Sequence, residues 1–101
     1  MVKIRWLGHA TFEITLAERT TFVDPWLDGN PQAPIKTSDV KKADFICITH
    51  DHTYHIGSAF EICRQTGATF VGTPELCNYA KANEVKEVVE FNIGGTANIR
   101  E

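Results

Sequence analysis

Apolar and polar residues alternate through the first quarter of the chain. Two such runs extend from Val2 to Leu7 and from Thr11 to Leu16. Alternation with a period of two is typical of β-strands that present one apolar face. The pattern predicts two strands, followed by a hairpin turn at Ala17-Glu18-Arg19 and a third strand from Thr20 to Val23.

The period changes further along the chain. Residues 26–38 contain Pro31, Pro34 and Gly29, which predict a long loop. Apolar residues then recur at helical spacing in two segments that alternate with short apolar runs. The patterns predict, in order, a strand over Phe45–Ile48, a helix over Ile56–Thr66 ended by Gly67, a strand over Ala68–Val71, a helix from Pro74 to about Ala82 capped by Thr73, and a strand over Val85–Phe91.

The order of these elements predicts an α/β (α+β) fold. Alternating strands and helices are expected to form one mixed β-sheet with helices on one face, in a single domain that spans residues 1–101. Four aromatic residues are expected to belong to the core: Trp6, Phe12, Trp26 and Phe60.

Composition narrows the class of protein. Of the 101 residues, 43% are hydrophobic and 23% are charged, which is typical of a globular protein. The net charge is −3 and the only basic cluster is Lys41-Lys42, so we expect no nucleic-acid partner. No apolar run approaches the length of about 20 residues that spans a membrane. The three cysteines lack a Cys-x-x-Cys spacing, which favours a reducing cytoplasm over a disulfide framework.

Three of the four histidines, His50, His52 and His55, directly follow the predicted strand over Phe45–Ile48. His50 and His52 would point the same way from a strand end, and His55 could turn toward the same point. Imidazole is the commonest ligand of zinc and similar ions. The spacing therefore predicts a metal site, and the alternative is a polar loop in which histidines gathered by chance.

Five short motifs extend this prediction over most of the chain. They are Trp6-Leu7-Gly8-His9-Ala10, Val23-Asp24-Pro25-Trp26-Leu27, Ile48-Thr49-His50-Asp51-His52, Gly72-Thr73-Pro74-Glu75-Leu76 and Asn92-Ile93-Gly94-Gly95-Thr96. In this order they resemble the metallo-β-lactamase superfamily, in particular its small metal-dependent hydrolases of uncharacterised substrate. The resemblance implies half of an αββα sandwich, namely the N-terminal half, because family members are about twice as long.

The resemblance also implies roles for individual residues. Asp24 would lie beneath the metal and hydrogen-bond the ligand groups, and His9 would lie near the cleft, so both are candidate residues of the catalytic site. His50 and His52 would serve one ion and His55 a second ion. The family's next ligand of the second ion is an Asp at the position of Tyr54, and a phenol is a poor replacement for a carboxylate.

The resemblance implies a hydrolase in which a zinc-bound water attacks an ester, thioester, lactone or phosphodiester. Manganese, iron or nickel could replace zinc. The small-molecule substrate is not predicted. Two alternatives are a metal-binding half-fold of weak or absent activity and a structural fragment, either natural or engineered. In each case we expect one sheet face to be exposed and to pair with a second copy of the chain as a homodimer.

Overall fold

The computed structural model describes residues 1–49 and 57–90. The predicted ligands His50, His52 and His55, together with Tyr54, lie outside the described residues. The described elements are β1 (Lys3–Trp6), β2 (Phe12–Leu16), β3 (Arg19–Val23), a short 3₁₀ turn (Thr37–Asp39), β4 (Phe45–Cys47), α1 (Ala59–Thr66), β5 (Thr69–Gly72), α2 (Pro74–Ala82) and β6 (Val88–Glu90).

The six described strands form one sheet whose spatial order follows the order of the chain. β1, β2 and β3 are antiparallel neighbours, and their second hairpin turns at Ala17 and Glu18, both with positive φ. From β3 to β6 all neighbours are parallel. Helices connect β4 to β5 and β5 to β6, because parallel neighbours need crossover connections. The predicted mixed sheet is confirmed.

The core lies between one face of the sheet and the two helices. Phe22, Ile46 and Phe70 are cross-strand neighbours on β3, β4 and β5, and each is at most 1% exposed. The helices contribute apolar side chains to the same cluster, including Ile62 on α1 and Leu76 on α2. Both described helices therefore cover the same face, as the sequence predicts.

The helix ends agree with their predicted caps. Thr73 Oγ1 accepts a hydrogen bond from the Leu76 N–H at 3.4 Å, and Pro74 is the first residue of α2. Gly67 ends α1 with a left-handed φ of 78°. The last strand begins at Val88 and not at Val85 as predicted, because the Val85 N–H donates to the Ala80 carbonyl at 3.1 Å and closes the end of α2.

The opposite face of the sheet is apolar and exposed along β1 and β2. Ile4 pairs with Ile14 and Trp6 pairs with Phe12, and side chains of paired residues share a face. Trp6 is 56% exposed and Phe12 is 37% exposed, so their prediction as core residues is wrong. Both point away from the face that the helices cover. Trp26 and Phe60, in contrast, are half-buried.

Within residues 1–49 and 57–90, no helix has both the length and the apolar character needed to cross a bilayer.

The core assignment yields a prediction on α2. Leu76 is 5% exposed, whereas Lys81 on the same helix is exposed. Leu76→Ala should lower the free energy of unfolding by about 2–5 kcal/mol, since it removes buried methyl groups and leaves a cavity. Lys81→Ala should change it by no more than about 0.5 kcal/mol. Urea unfolding of both variants measures the difference, and equal stabilities would contradict the core described above.

Candidate metal site at the carboxyl edge of the sheet

Parallel strands bring the residues that follow them to one edge of the sheet. Asp24 follows β3, and Ile48 and Thr49 follow β4. The Asp24 N–H donates to the Cys47 carbonyl at 2.9 Å, and the Ile48 N–H donates to the Val71 carbonyl at 3.0 Å, so pairing continues past the strand ends. Thr49 immediately precedes His50, and the predicted ligand segment therefore starts at this edge.

The Asp24 carboxylate holds Thr49 in place. Its Oδ1 accepts the Thr49 N–H at 2.8 Å, and its Oδ2 accepts the Thr49 hydroxyl at 2.6 Å. Asp24 is 2% exposed and has a φ of 47°. Left-handed φ is uncommon for a residue other than glycine, although aspartate tolerates it better than most. Two bonds to a buried carboxylate therefore fix the residue that precedes His50.

Thr11 forms hydrogen bonds with the backbone on both sides of Pro25. The Thr11 hydroxyl donates to the Asp24 carbonyl at 2.7 Å and accepts the Trp26 N–H at 3.0 Å. The side chain is fully buried. Because a single hydroxyl makes both bonds, it fixes the separation of Asp24 and Trp26.

The same three residues, Asp24-Pro25-Trp26, also hold the far side of the ligand segment, and we refer to them as the anchor tripeptide. The Pro25 carbonyl accepts the Ser58 N–H at 2.8 Å. The Thr37 hydroxyl donates to Ser58 Oγ, and both side chains are buried. The anchor tripeptide thus contacts the chain both before and after residues 50–56.

His9 lies at the same edge, in the turn between β1 and β2. Its ring meets Trp26 edge to face, with 5.4 Å between ring centroids. The Trp6 indole N–H donates to the His9 carbonyl at 2.8 Å. His9 is exposed and has a φ of 54°. The structure therefore brings His9 and Asp24, the two predicted site residues that it describes, to one edge with Trp26 between them.

Sequence reasoning missed Thr11, Gly57 and Ser58 as residues that support this edge. The alternating pattern marked Thr11 only as the start of a strand. Its bonds join residues 13 and 15 positions apart, and no local pattern reports such contacts.

The described residues do not by themselves supply a set of metal ligands. Among residues 1–49 and 57–90, no cluster of three His, Cys, Asp or Glu side chains could hold a metal. Burial, with a smaller contribution from the Asp24 charge, raises the pKa of Cys47 to about 11. Burial also raises the pKa of Cys63 to about 12. In the absence of a metal these two thiols are therefore protonated at neutral pH. The three histidines predicted as ligands follow Thr49 in the sequence and lie outside the described residues.

A groove of about 730 Å³ lies at the other edge of the sheet, where β5 and β6 begin. Its lining mixes basic and acidic side chains such as Arg64, Lys81, Glu84 and Glu87 with the protonated Cys63 thiol. The groove is therefore far from the edge that carries Asp24 and Thr49, and its chemistry does not indicate a metal site.

Comparison with known proteins identifies relatives of the chain. A UPF0173 metal-dependent hydrolase of Methanopyrus kandleri is 45% identical over 98 residues, which cover 97% of this chain and 42% of that protein. Another, from Staphylothermus marinus, is 46% identical over 106 residues, covering 98% of this chain and 46% of that protein. The chain thus spans less than half the length of these curated relatives.

A solved structure is also similar to this chain over less than half of its own length. The metallo hydrolase Igni18 of Ignicoccus hospitalis superposes with a TM-score of 0.88 at 35% identity, over 97% of this chain and 42% of that one. The predicted half-fold is therefore confirmed. The family model described as the beta-lactamase superfamily domain matches residues 3–97. The chain belongs to the beta-lactamase superfamily.

Proposed function

We propose that the chain binds a divalent metal ion through His50, His52 and His55 and supports metal-dependent hydrolysis. The observation that carries the proposal is the pair of hydrogen bonds by which the buried Asp24 carboxylate fixes Thr49, the residue before His50. The relatives are named metal-dependent hydrolases, which favours the same reaction class. Suitable substrates are small molecules with an ester, thioester, lactone or phosphodiester bond.

When bound, a zinc ion held by His50, His52 and His55 would supply a nucleophile at neutral pH, because catalytic zinc lowers the pKa of its coordinated water to about 7. Zinc is our first choice for a site of neutral imidazoles, and manganese, iron or nickel are alternatives. The resemblance assigns His55 to a second ion, but Tyr54 stands at the position of the carboxylate that would also bind that ion. We therefore propose a site with one ion that the three histidines share. The three free thiols support a reducing compartment, and we place the protein in the cytoplasm.

His9 is our candidate for proton transfer. An imidazole can hold or release a proton near neutral pH, and this one is exposed at the edge where the ligand segment begins. The T-shaped contact with the Trp26 ring restricts the orientation of the imidazole. We assign to His9 the donation of a proton to the leaving oxygen or sulfur atom of the substrate.

A second candidate function of the same site is metal binding without turnover. Hydrolysis of ester, thioester, lactone and phosphodiester model substrates by the zinc-loaded protein separates the two. His52→Ala should abolish both zinc retention and turnover, because it removes a metal ligand. His9→Gln should retain zinc and lower kcat by about 10²–10⁴-fold, because it removes only the proton donor.

Zinc retention by the wild type without hydrolysis of any substrate class would favour the metal-binding module. Turnover that survives in His52→Ala would contradict the proposed metal site.

Removal of the Asp24 carboxylate should weaken zinc binding more than removal of a comparable carboxylate elsewhere. Asp24→Ala should weaken zinc binding by about 10–100-fold, the usual effect of losing a group that orients metal ligands. Asp44 is a matched control at the opposite end of β4, where its Oδ2 accepts the Thr20 N–H at 2.8 Å. Asp44→Ala should lower stability and leave zinc affinity unchanged. Zinc titration against a chromophoric chelator tests the pair, and equal losses of affinity would contradict the role of Asp24.

We further propose that the chain self-associates through the apolar face of β1 and β2. Ile4 and Trp6 are 64% and 56% exposed there, beside their cross-strand partners on β2. Monomers rarely expose a contiguous apolar surface of this kind. A second copy related by a two-fold axis would lay an identical apolar row against it, and an isologous interface of this type needs no other partner.

Native mass spectrometry at micromolar concentration, with zinc and then with chelator, reads both the oligomeric state and the bound metal. Wild type should be a dimer, and Trp6→Lys should be a monomer because it places a charge in the apolar face. Tyr79→Lys is the matched control, since Tyr79 is also 56% exposed but lies on α2. That variant should remain a dimer. A monomeric wild type would contradict the proposed interface.

A further inference from the structure

Gly57 brings the end of the ligand segment against the anchor tripeptide. A Cβ atom at this position would lie 2.6 Å from the Pro25 carbonyl oxygen and 2.7 Å from the Trp26 Cα. Both neighbours are backbone atoms, so no side-chain rotation can relieve the contact. Ser58, the next residue, donates its N–H to the same Pro25 carbonyl at 2.8 Å. The close approach therefore coincides with the hydrogen bond that closes the segment.

An alanine methyl group at position 57 would be too close to the neighbouring backbone. Ordinary van der Waals contact begins at 3.4 Å, so a methyl group at position 57 must move away from the Pro25 oxygen by about 0.8 Å. Ligand distances in metal sites are defined to about 0.2 Å. The displacement that alanine would require at Gly57 exceeds that tolerance, and Gly57 is two residues from the proposed ligand His55 in the sequence.

We infer that Gly57 and Thr11 are positioning residues for the metal site, an inference that rests on the proposed function. Gly57 sets how closely the end of the ligand segment approaches the anchor tripeptide. Thr11 sets the conformation of the anchor tripeptide itself through its bonds to the Asp24 carbonyl and the Trp26 N–H. Neither residue carries a group that would bind the ion, and both act through the backbone that holds the histidines.

Gly67 is a matched control for Gly57. Both glycines have left-handed φ, +43° for Gly57 and +78° for Gly67, so alanine is strained at either position. No atom lies within 4 Å of a Cβ built at Gly67, so alanine there displaces nothing. Both substitutions therefore carry the cost of alanine at a left-handed φ, but only Gly57→Ala must displace neighbouring backbone atoms.

Zinc affinity of Gly57→Ala and Gly67→Ala, together with the visible spectrum of the Co²⁺-loaded proteins, tests the inference. Gly57→Ala should bind zinc about 10–100-fold more weakly than Gly67→Ala, and its Co²⁺ spectrum should change. Gly67→Ala should match the wild type in both measurements. Equal affinities and spectra for the two variants, with zinc bound normally by the wild type, would overturn this inference alone. A wild type that binds no zinc would overturn the proposed function and this inference with it.

Substitutions of Thr11 provide the test if Gly57→Ala does not fold. Thr11→Ser keeps the hydroxyl and should keep wild-type zinc affinity. Thr11→Val keeps the shape and loses both hydrogen bonds, so it should weaken zinc binding about 10-fold or more. Equal zinc affinity of the valine and serine variants would overturn the role of Thr11.

Discussion

The two hydrogen bonds from Thr49 to the buried Asp24 carboxylate are the interaction on which the site depends. A hydrogen bond to a charged group contributes about 1.5–3 kcal/mol, whereas a left-handed residue other than glycine costs about 1–3 kcal/mol. The two bonds together can offset the strain implied by the φ of 47° at Asp24. Asp24, Pro25 and Trp26 then join three parts of the fold: the β1–β2 turn through Thr11, the end of β4 through Thr49, and the start of α1 through Ser58.

This arrangement connects the sheet to the proposed metal site. Parallel pairing of β3 with β4 brings Asp24 beside Thr49, and Ser58, the residue before α1, donates its N–H to the Pro25 carbonyl. Core packing of Phe22, Ile46 and Phe70 under the helices keeps both strands in register. The packed strand β4 and the helix α1 thus flank, in the sequence, the segment that carries the histidines. The other sheet face remains apolar and exposed along β1 and β2, in a chain that spans 42–46% of the length of two curated relatives.

Much of this could be predicted from local patterns. Alternation located β1 and β2, and Thr73-Pro74 and Gly67 located helix ends, because caps and strand faces are encoded by residues close in sequence. The exposure of Trp6 could not be predicted this way. An alternating strand has one apolar side whether or not another element covers it, and in this structure the helices cover the other side.

The residues that support the site also could not be predicted from the sequence. Asp24 and His9 were identified from motifs, and the structure places both at the carboxyl edge of the sheet. The roles of Thr11 and Gly57 depend on contacts with the anchor tripeptide, which is distant in sequence from Gly57. A buried hydroxyl and a glycine have no local signature of such a role, because each is common in turns and strand ends for other reasons.

X-ray absorption spectroscopy of the zinc-loaded protein tests the central claim most directly, because it reads the donor atoms around the ion. The account predicts a shell of nitrogen and oxygen atoms at about 2.0–2.1 Å with the outer scattering of imidazole rings and no sulfur at about 2.3 Å. A shell that contains sulfur, or one without imidazole, would contradict the claim that the histidines anchored beside Asp24 hold the metal.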